Sequence, residues 1–356
     1  MATGGFPKMT ASLMDAGRGN LAHRFRLGGD TLVVVFSQVR VPAGKFGLER
    51  LFASTTHSLL LLNQPANDWY RNCGEDIDRL IGEAATAAKA GRVILYGSSM
   101  GAFGAAATAS RHSDAELYAF APDFRIGEPG SQSAAAGLAP RSDEADLGHL
   151  LALPRRGPAR VVVPLYDPYD AGVGARLAAL SLPDNVELVP LRSSHEVHDH
   201  LYSLNVIRKV IATFRRDIAA EAAARGLLVR SVDWPAHARF AAAREAFDAG
   251  AALDPDAVMG LLPELNPGLA LLAAEAAERT GDIGRAEAML AGLDAAIAAD
   301  SVLSSLVKRY LKDVPRRRIR LQRDAGDVAA ARRIAAEAAT RFPTDEGFAA
   351  FVDGLD

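Results

Sequence analysis

Two serines stand side by side in Tyr96-Gly97-Ser98-Ser99-Met100-Gly101, and the second sits midway between two glycines. A hydroxyl is a poor nucleophile near neutral pH until a base takes its proton. The chemistry open to Ser99 therefore calls for a histidine and, behind it, a carboxylate. Both residue types follow downstream. Tyr166-Asp-Pro-Tyr-Asp170 holds two carboxylates, and Arg192-Ser-Ser-His195-Glu-Val-His198-Asp-His200 holds three histidines. Such a set would serve acyl transfer to water. Asp167 and Asp170 are both candidates for the acid, and either would also suit ordinary turn and helix-capping chemistry. His195 is the first histidine past an apolar run, whereas His198 and His200 are expected one turn into a helix.

These residues need elements to hold them. The serine motif follows the apolar run Val93–Tyr96 and opens an alanine-rich stretch, Met100–Arg111. At such a strand-to-helix turn the glycines on either side clear room for a strained serine. The N–H of Met100 and the helix N-terminus then point at the developing oxyanion. Gly104, with Ala105 and Ala106, would let that helix lie close on the sheet. Ser98 is a candidate substrate contact, with helix N-capping as its structural alternative. Further strand candidates are Leu32–Phe36, Leu59–Leu62, Leu117–Ala121, Val161–Leu165 and Val186–Leu191, with Ala22–Leu27 as an edge strand. Several are continuously apolar, as strands buried on both faces are. Helix candidates are Gly74–Ala90, Met100–Arg111 and Val173–Leu180, closed by one long helix from Val197 to about Ala224.

The region from about 30 to 215 resembles the α/β-hydrolase superfamily: strand-GSSMG-helix, a strand-Asp loop and a strand-His loop, in that order. The Tyr-Gly-Ser-Ser-Met-Gly phrase, with Asp68-Trp69-Tyr70 upstream, is similar to a poorly characterised bacterial branch often carrying helical repeats. The resemblance implies an α/β fold with a mostly parallel central sheet and a triad of Ser99, Asp170 and His195. It also implies a second oxyanion donor, the backbone N–H of Ser37 or Gln38, after the first core strand. The His-Gly phrase of many esterases is absent there, and Ala102 stands where many relatives have a further glycine.

In an open α/β sheet, ligands gather at the carboxyl ends of the strands. Asn63 and Trp69, in the loop after Leu59–Leu62, are therefore expected at the substrate, although Trp69 could equally anchor that loop in the core. Pro122–Pro158 occupies the place of a cap, and its Gly-, Ser-, Ala- and Pro-rich part, Gly127–Pro140, suits a lid. Arg40, Lys45 and Arg125 could meet an anionic substrate or simply be solvated.

Past Val197 the texture turns to Ala-, Arg- and Leu-rich amphipathic stretches. We expect a loose lead-in over residues 1–20, a hydrolase domain over 21–225 and a smaller all-helical, repeat-like domain over 226–356. Thr280-Gly-Asp-Ile-Gly-Arg-Ala286 and Ala325-Gly-Asp-Val-Ala-Ala-Ala331 look alike, as tetratricopeptide-like turns do. They stand 45 residues apart, however, not the about 34 of a regular repeat. A bundle, a protein-partner surface and a homo-oligomer contact are all consistent with this half.

The formal net charge of -3 supplies no broad positive field, which argues against nucleic acid as the main ligand. The lone Cys73 forms no internal disulfide and supports no multi-thiolate zinc site. No segment has the roughly 18 to 20 apolar residues that cross a bilayer, and no signal-like run opens the chain, so a cytoplasmic protein is expected. We expect a small acyl substrate, an ester, thioester or amide, and neither cofactor nor metal. Three rivals stand beside this reading. A nucleotide-binding turn would use Gly97, Gly101 and Gly104 with Asp123 as the ribose acid, but the spacing is not GxGxxG. A metal site on His195, His198 and His200 matches no firm ligand spacing. A catalytically silent scaffold would bind a partner through the helical half.

Overall fold

Runs of Leu, Val and Ile that are apolar at every position suit strands covered on both faces. In the computed structural model, which describes residues 21–353, such runs make the middle of one seven-stranded sheet, with more polar strands at its edges. Its strands are β1 (Ala22–Arg26), β2 (Thr31–Phe36), β3 (Ser58–Asn63), β4 (Arg92–Ser98), β5 (Glu116–Phe120), β6 (Ala159–Pro164) and β7 (Val186–Leu191). The lead-in expected over 1–20 lies outside the described residues.

Across the sheet the order is β1-β3-β2-β4-β5-β6-β7. β1 pairs antiparallel with β3, whereas β2 with β3, β2 with β4, β4 with β5 and β5 with β6 are parallel. The chain leaves β2 for β3 on one side and returns to β4 on the other. That reversal parts the connections at the carboxyl ends of β2 and β4, which is where open α/β sheets form a ligand crevice.

The described chain clusters into two compact units. One runs up to Val163 and adds Arg176–Pro190 and Asn205–Glu221; the other comprises Pro164–Ala175, Leu191–Leu204 and everything from Ala222 onward. In the first unit the helix Gly74–Ala88 buries Ile77, Leu80, Ile81, Ala84 and Ala88, a single face at helical spacing. The rings of Phe52, Tyr96, Tyr118, Phe120 and Phe214 cluster, with Tyr96 centred 5.2 Å from both Phe52 and Phe120.

Two expected helices differ. The one expected over 173–180 begins earlier, at Pro168, and runs to Ala178. Asp167 caps this start: its Oδ1 accepts from the N–H groups of Tyr169 (3.0 Å) and Asp170 (3.3 Å), and proline at the first position suits a helix N-terminus. The long helix expected over 197–224 is three pieces, Val197–Ser203, Val206–Ile211 and Ile218–Ala223. Asn205 at φ 60 and Phe214 at φ 52 take left-handed backbone that a continuous helix cannot contain.

From Trp234 the second unit is helical, with its longer helices at Trp234–Asp248, Pro267–Arg279, Ile283–Ala299, Lys308–Asp324 and Val328–Arg341. The two similar Gly-Asp phrases do the same work in it. Gly281 (φ 80) and Gly326 (φ 84) supply left-handed turns, while Asp282 and Asp327 cap the following helices through Arg285 N and Ala330 N.

Candidate active site

Ser99 stands between β4 and the helix Met100–Ala109, at φ 53 and ψ -120, a conformation that L residues rarely hold. The turn is closed by contacts that only glycine permits. A Cβ on Gly97 would lie 2.1 Å from Gly101 O, and one on Gly101 would lie 2.3 Å from Phe36 O at the end of β2. One on Gly104 would meet the Tyr70 ring at 2.5 Å, so this glycine does bring the helix against its neighbours. Ser99 N–H donates to Phe120 O (2.8 Å), tying the elbow to the end of β5, and the residue is 8% exposed. Met100 is buried as the first helical residue. Ser98 ends β4, paired with Phe120.

Of the two residues considered for the second oxyanion donor, Ser37 is ruled out. Its N–H is already donated to Leu62 O (2.9 Å), extending the sheet by one step. Its hydroxyl accepts from Gly47 N (2.8 Å), and its carbonyl accepts from the Tyr70 hydroxyl (3.0 Å). Gln38 is left as the candidate.

The loop after β3 is built by residues that sequence reasoning passed over. Gln64 accepts from Tyr70 N (2.6 Å) and donates to Cys73 Sγ (3.4 Å), holding a turn in which Asn67, Trp69, Tyr70 and Asn72 all have positive φ. Tyr70 meets Phe36 edge to face, with centroids 5.2 Å apart. Trp69 is buried, in keeping with the anchoring alternative. The Asn63 amide donates to Val41 O, Pro42 O and Lys45 O, at 3.2, 3.2 and 2.9 Å, and so fastens the 41–45 loop. Burial pushes the Cys73 thiol up to about 11, which makes it a poor nucleophile.

The stretch expected as a cap carries the short helices Gln132–Ala135 and Leu147–Ala152. Buried Asp123, the ribose acid of the nucleotide-binding rival, instead accepts from Ser133 N (2.9 Å) and Gln132 N (3.3 Å). With the three glycines explained by close packing, that rival loses its features.

In the second unit His195 lies in the loop between β7 and the helix Val197–Ser203, and its Nδ1 is 2.9 Å from Asp170 Oδ2. Asp170 is in the first helical turn after Asp167, not in the loop ahead of it as expected, and is 2% exposed. Such a bond places the proton on Nδ1 and leaves Nε2 as the basic atom. His200 is fully buried, with Nδ1 2.9 Å from Ser193 Oγ and Nε2 2.8 Å from Ser305 Oγ; burial lowers its pKa to about 4. One ring nitrogen of His195 and both of His200 thus face oxygens of side chains. Among the described residues no group of three or more His, Cys, Asp or Glu is arranged to hold a metal ion, and no helix is long and apolar enough to cross a membrane.

No family model and no curated protein matches the chain. Solved structures do. An alpha-beta serine hydrolase homologue from Coxiella burnetii is 14% identical, with a TM-score of 0.41 over 60% of this chain and 100% of that one. Est1E from Butyrivibrio proteoclasticus is 12% identical, with a TM-score of 0.40 over 56% and 97%. The capsule O-acetyltransferase of Neisseria meningitidis serogroup A is 12% identical, with a TM-score of 0.40 over 56% and 92%. On the strength of its own sheet order, its antiparallel edge strand β1 and the elbow at the end of β4, this chain has the α/β-hydrolase fold.

Proposed function

We propose that the protein is a serine hydrolase that cleaves an ester, thioester or amide of a small substrate through an acyl-enzyme. Ser99 Oγ attacks the carbonyl carbon while His195 Nε2 takes its proton. The tetrahedral oxyanion is held by the N–H groups of Met100 and Gln38. Collapse expels the leaving group, which receives the proton from His195, and water repeats the sequence to free the acid and restore Ser99. Asp170 keeps the imidazole in the productive tautomer and stabilises its cation.

The observation that carries this reading is the 2.9 Å bond between His195 Nδ1 and buried Asp170, two residues that follow the elbow in the order Ser, Asp, His. The strained φ of Ser99 supports it independently. The hydrolase part is proposed to span 21–225, and the helical part 226–356.

A fluorophosphonate probe tests the proposal. Wild type should label at one site, and Ser99→Ala and His195→Ala should not, while both variants keep the wild-type circular dichroism. Absence of labelling of wild type throughout pH 6 to 9 would favour the silent scaffold.

A further inference from the structure

The segments bearing Asp170 and His195 belong to the same compact unit as the helices from Trp234 onward. Side chains of that helical half reach both segments. The Asn266 amide donates to Leu165 O (2.8 Å), at the start of the acid segment. Arg192, at the start of the histidine segment, bonds the Tyr166 hydroxyl (3.2 Å) and Asp300 Oδ2 (3.3 Å). The most connected of these links is the chain Ser193–His200–Ser305.

Its proton directions follow from its far end. Ser305 Oγ donates to Val302 O (2.6 Å), so toward His200 it can only accept. His200 Nε2 therefore carries the ring proton, and Nδ1 accepts from the hydroxyl of Ser193. Ser193 is held on its backbone too: its N–H donates to Leu191 O (2.8 Å), and its carbonyl accepts from Tyr166 N (3.0 Å). It thus joins the acid segment to the histidine segment two residues before His195. The side-chain polar atoms of Ser193, His200 and Ser305 are all paired, and an apolar replacement of the same shape would be about equally stable. What apolar packing does not supply is a fixed direction for the loop.

We propose that Ser305, in the helical half, is a positioning residue for His195, acting through His200 and Ser193. Its catalytic consequence rests on the hydrolase reading above; the coupling from Ser305 to His195 does not.

The test uses the full chain labelled with 15N-histidine, in which the downfield proton of His195 Nδ1 is assigned by its loss in His195→Gln. In Ser305→Ala that resonance should broaden or shift, and fluorophosphonate labelling of Ser99 should slow about tenfold to a hundredfold. Ser305→Thr, which keeps the hydroxyl, should restore both. Ser193→Ala, cutting the same chain at its other end, should reproduce the effect and serves if Ser305→Ala does not fold. A resonance unmoved in whichever alanine variant folds, with at most a lower melting temperature, overturns the proposal. A resonance that moves while wild type never labels supports the coupling and sinks only the hydrolase reading.

Discussion

His195 Nδ1 and Asp170 Oδ2 are 2.9 Å apart, while Asp167, three residues earlier, spends its Oδ1 on the N–H groups of Tyr169 and Asp170. One carboxylate therefore faces the imidazole and the other starts a helix. The division follows from the position of Pro168 at the head of that helix, which puts Asp167 in the capping place and Asp170 one turn inside.

Exchanging each acid for its amide separates the two roles. In Asp170→Asn the amide no longer holds the proton on Nδ1, and kcat should fall by about 10⁴ with little change in fold. In Asp167→Asn the cap is kept, because Asn caps about as well as Asp, and kcat should stay within about threefold. Steady-state kinetics on an activated ester would read both. The opposite ranking would move the acid to Asp167.

Ser99 is held where glycine is comfortable and serine is not. Strain of this kind costs about 1 to 3 kcal/mol, part of which glycine gives back through its greater freedom in the unfolded chain. Ser99→Gly should therefore be more stable than Ser99→Ala by about 1 kcal/mol, with neither variant active. Urea denaturation followed by circular dichroism would show it, and an alanine variant as stable as the glycine one would refute the strain.

The glycines of the elbow are a matter of space. A Cβ on Gly101 would stand 2.3 Å from Phe36 O and 2.9 Å from Phe36 C, backbone atoms of β2 that cannot swing aside. Gly101→Ala should cost about 3 kcal/mol. Gly82 is the control, since it lies in the helix Gly74–Ala88 with nothing within 4 Å of its added Cβ. Gly82→Ala should instead stabilise by about 0.5 to 1 kcal/mol. Gly101→Ala as stabilising as Gly82→Ala would mean that helix propensity, not the close approach to β2, sets the effect.

How far the sequence could be read depended on distance along the chain. The elbow was legible because its strand, its glycines and its serine are consecutive, and the core strands because their apolar runs are local. The break at Phe214 was hidden, because neither Phe nor its neighbours mark a left-handed backbone, whereas Asn205 is of a type that adopts it readily and was passed over. Ser37 could not be excluded as a donor without the register that brings Leu62 O to its N–H. Likewise, His200 was read as one more helical histidine because its partners are seven and 105 residues away.

Burial of His200 makes stability depend on pH. Its pKa in the folded chain is about 4, against the ordinary 6.5. Between these values the unfolded chain binds a proton that the folded chain refuses, so stability rises with pH across this window and is lost as pH falls through it. The neutral ring's contribution is complete above 6.5 and gone below about 4. At about 1.36 kcal/mol per pKa unit, lowering the pH from 7 to 4.5 should remove roughly 2 to 3 kcal/mol. Carboxylates titrate at the lower end of this range as well, so the quantity to follow is the difference between wild type and His200→Gln. That variant cannot take up the proton, and it should lose roughly 2 to 3 kcal/mol less than wild type between pH 7 and pH 4.5 in urea denaturation. Parallel losses would mean that the ring is already protonated between its two serines, with Nδ1 donating to Ser193 Oγ while Nε2 still donates to Ser305 Oγ.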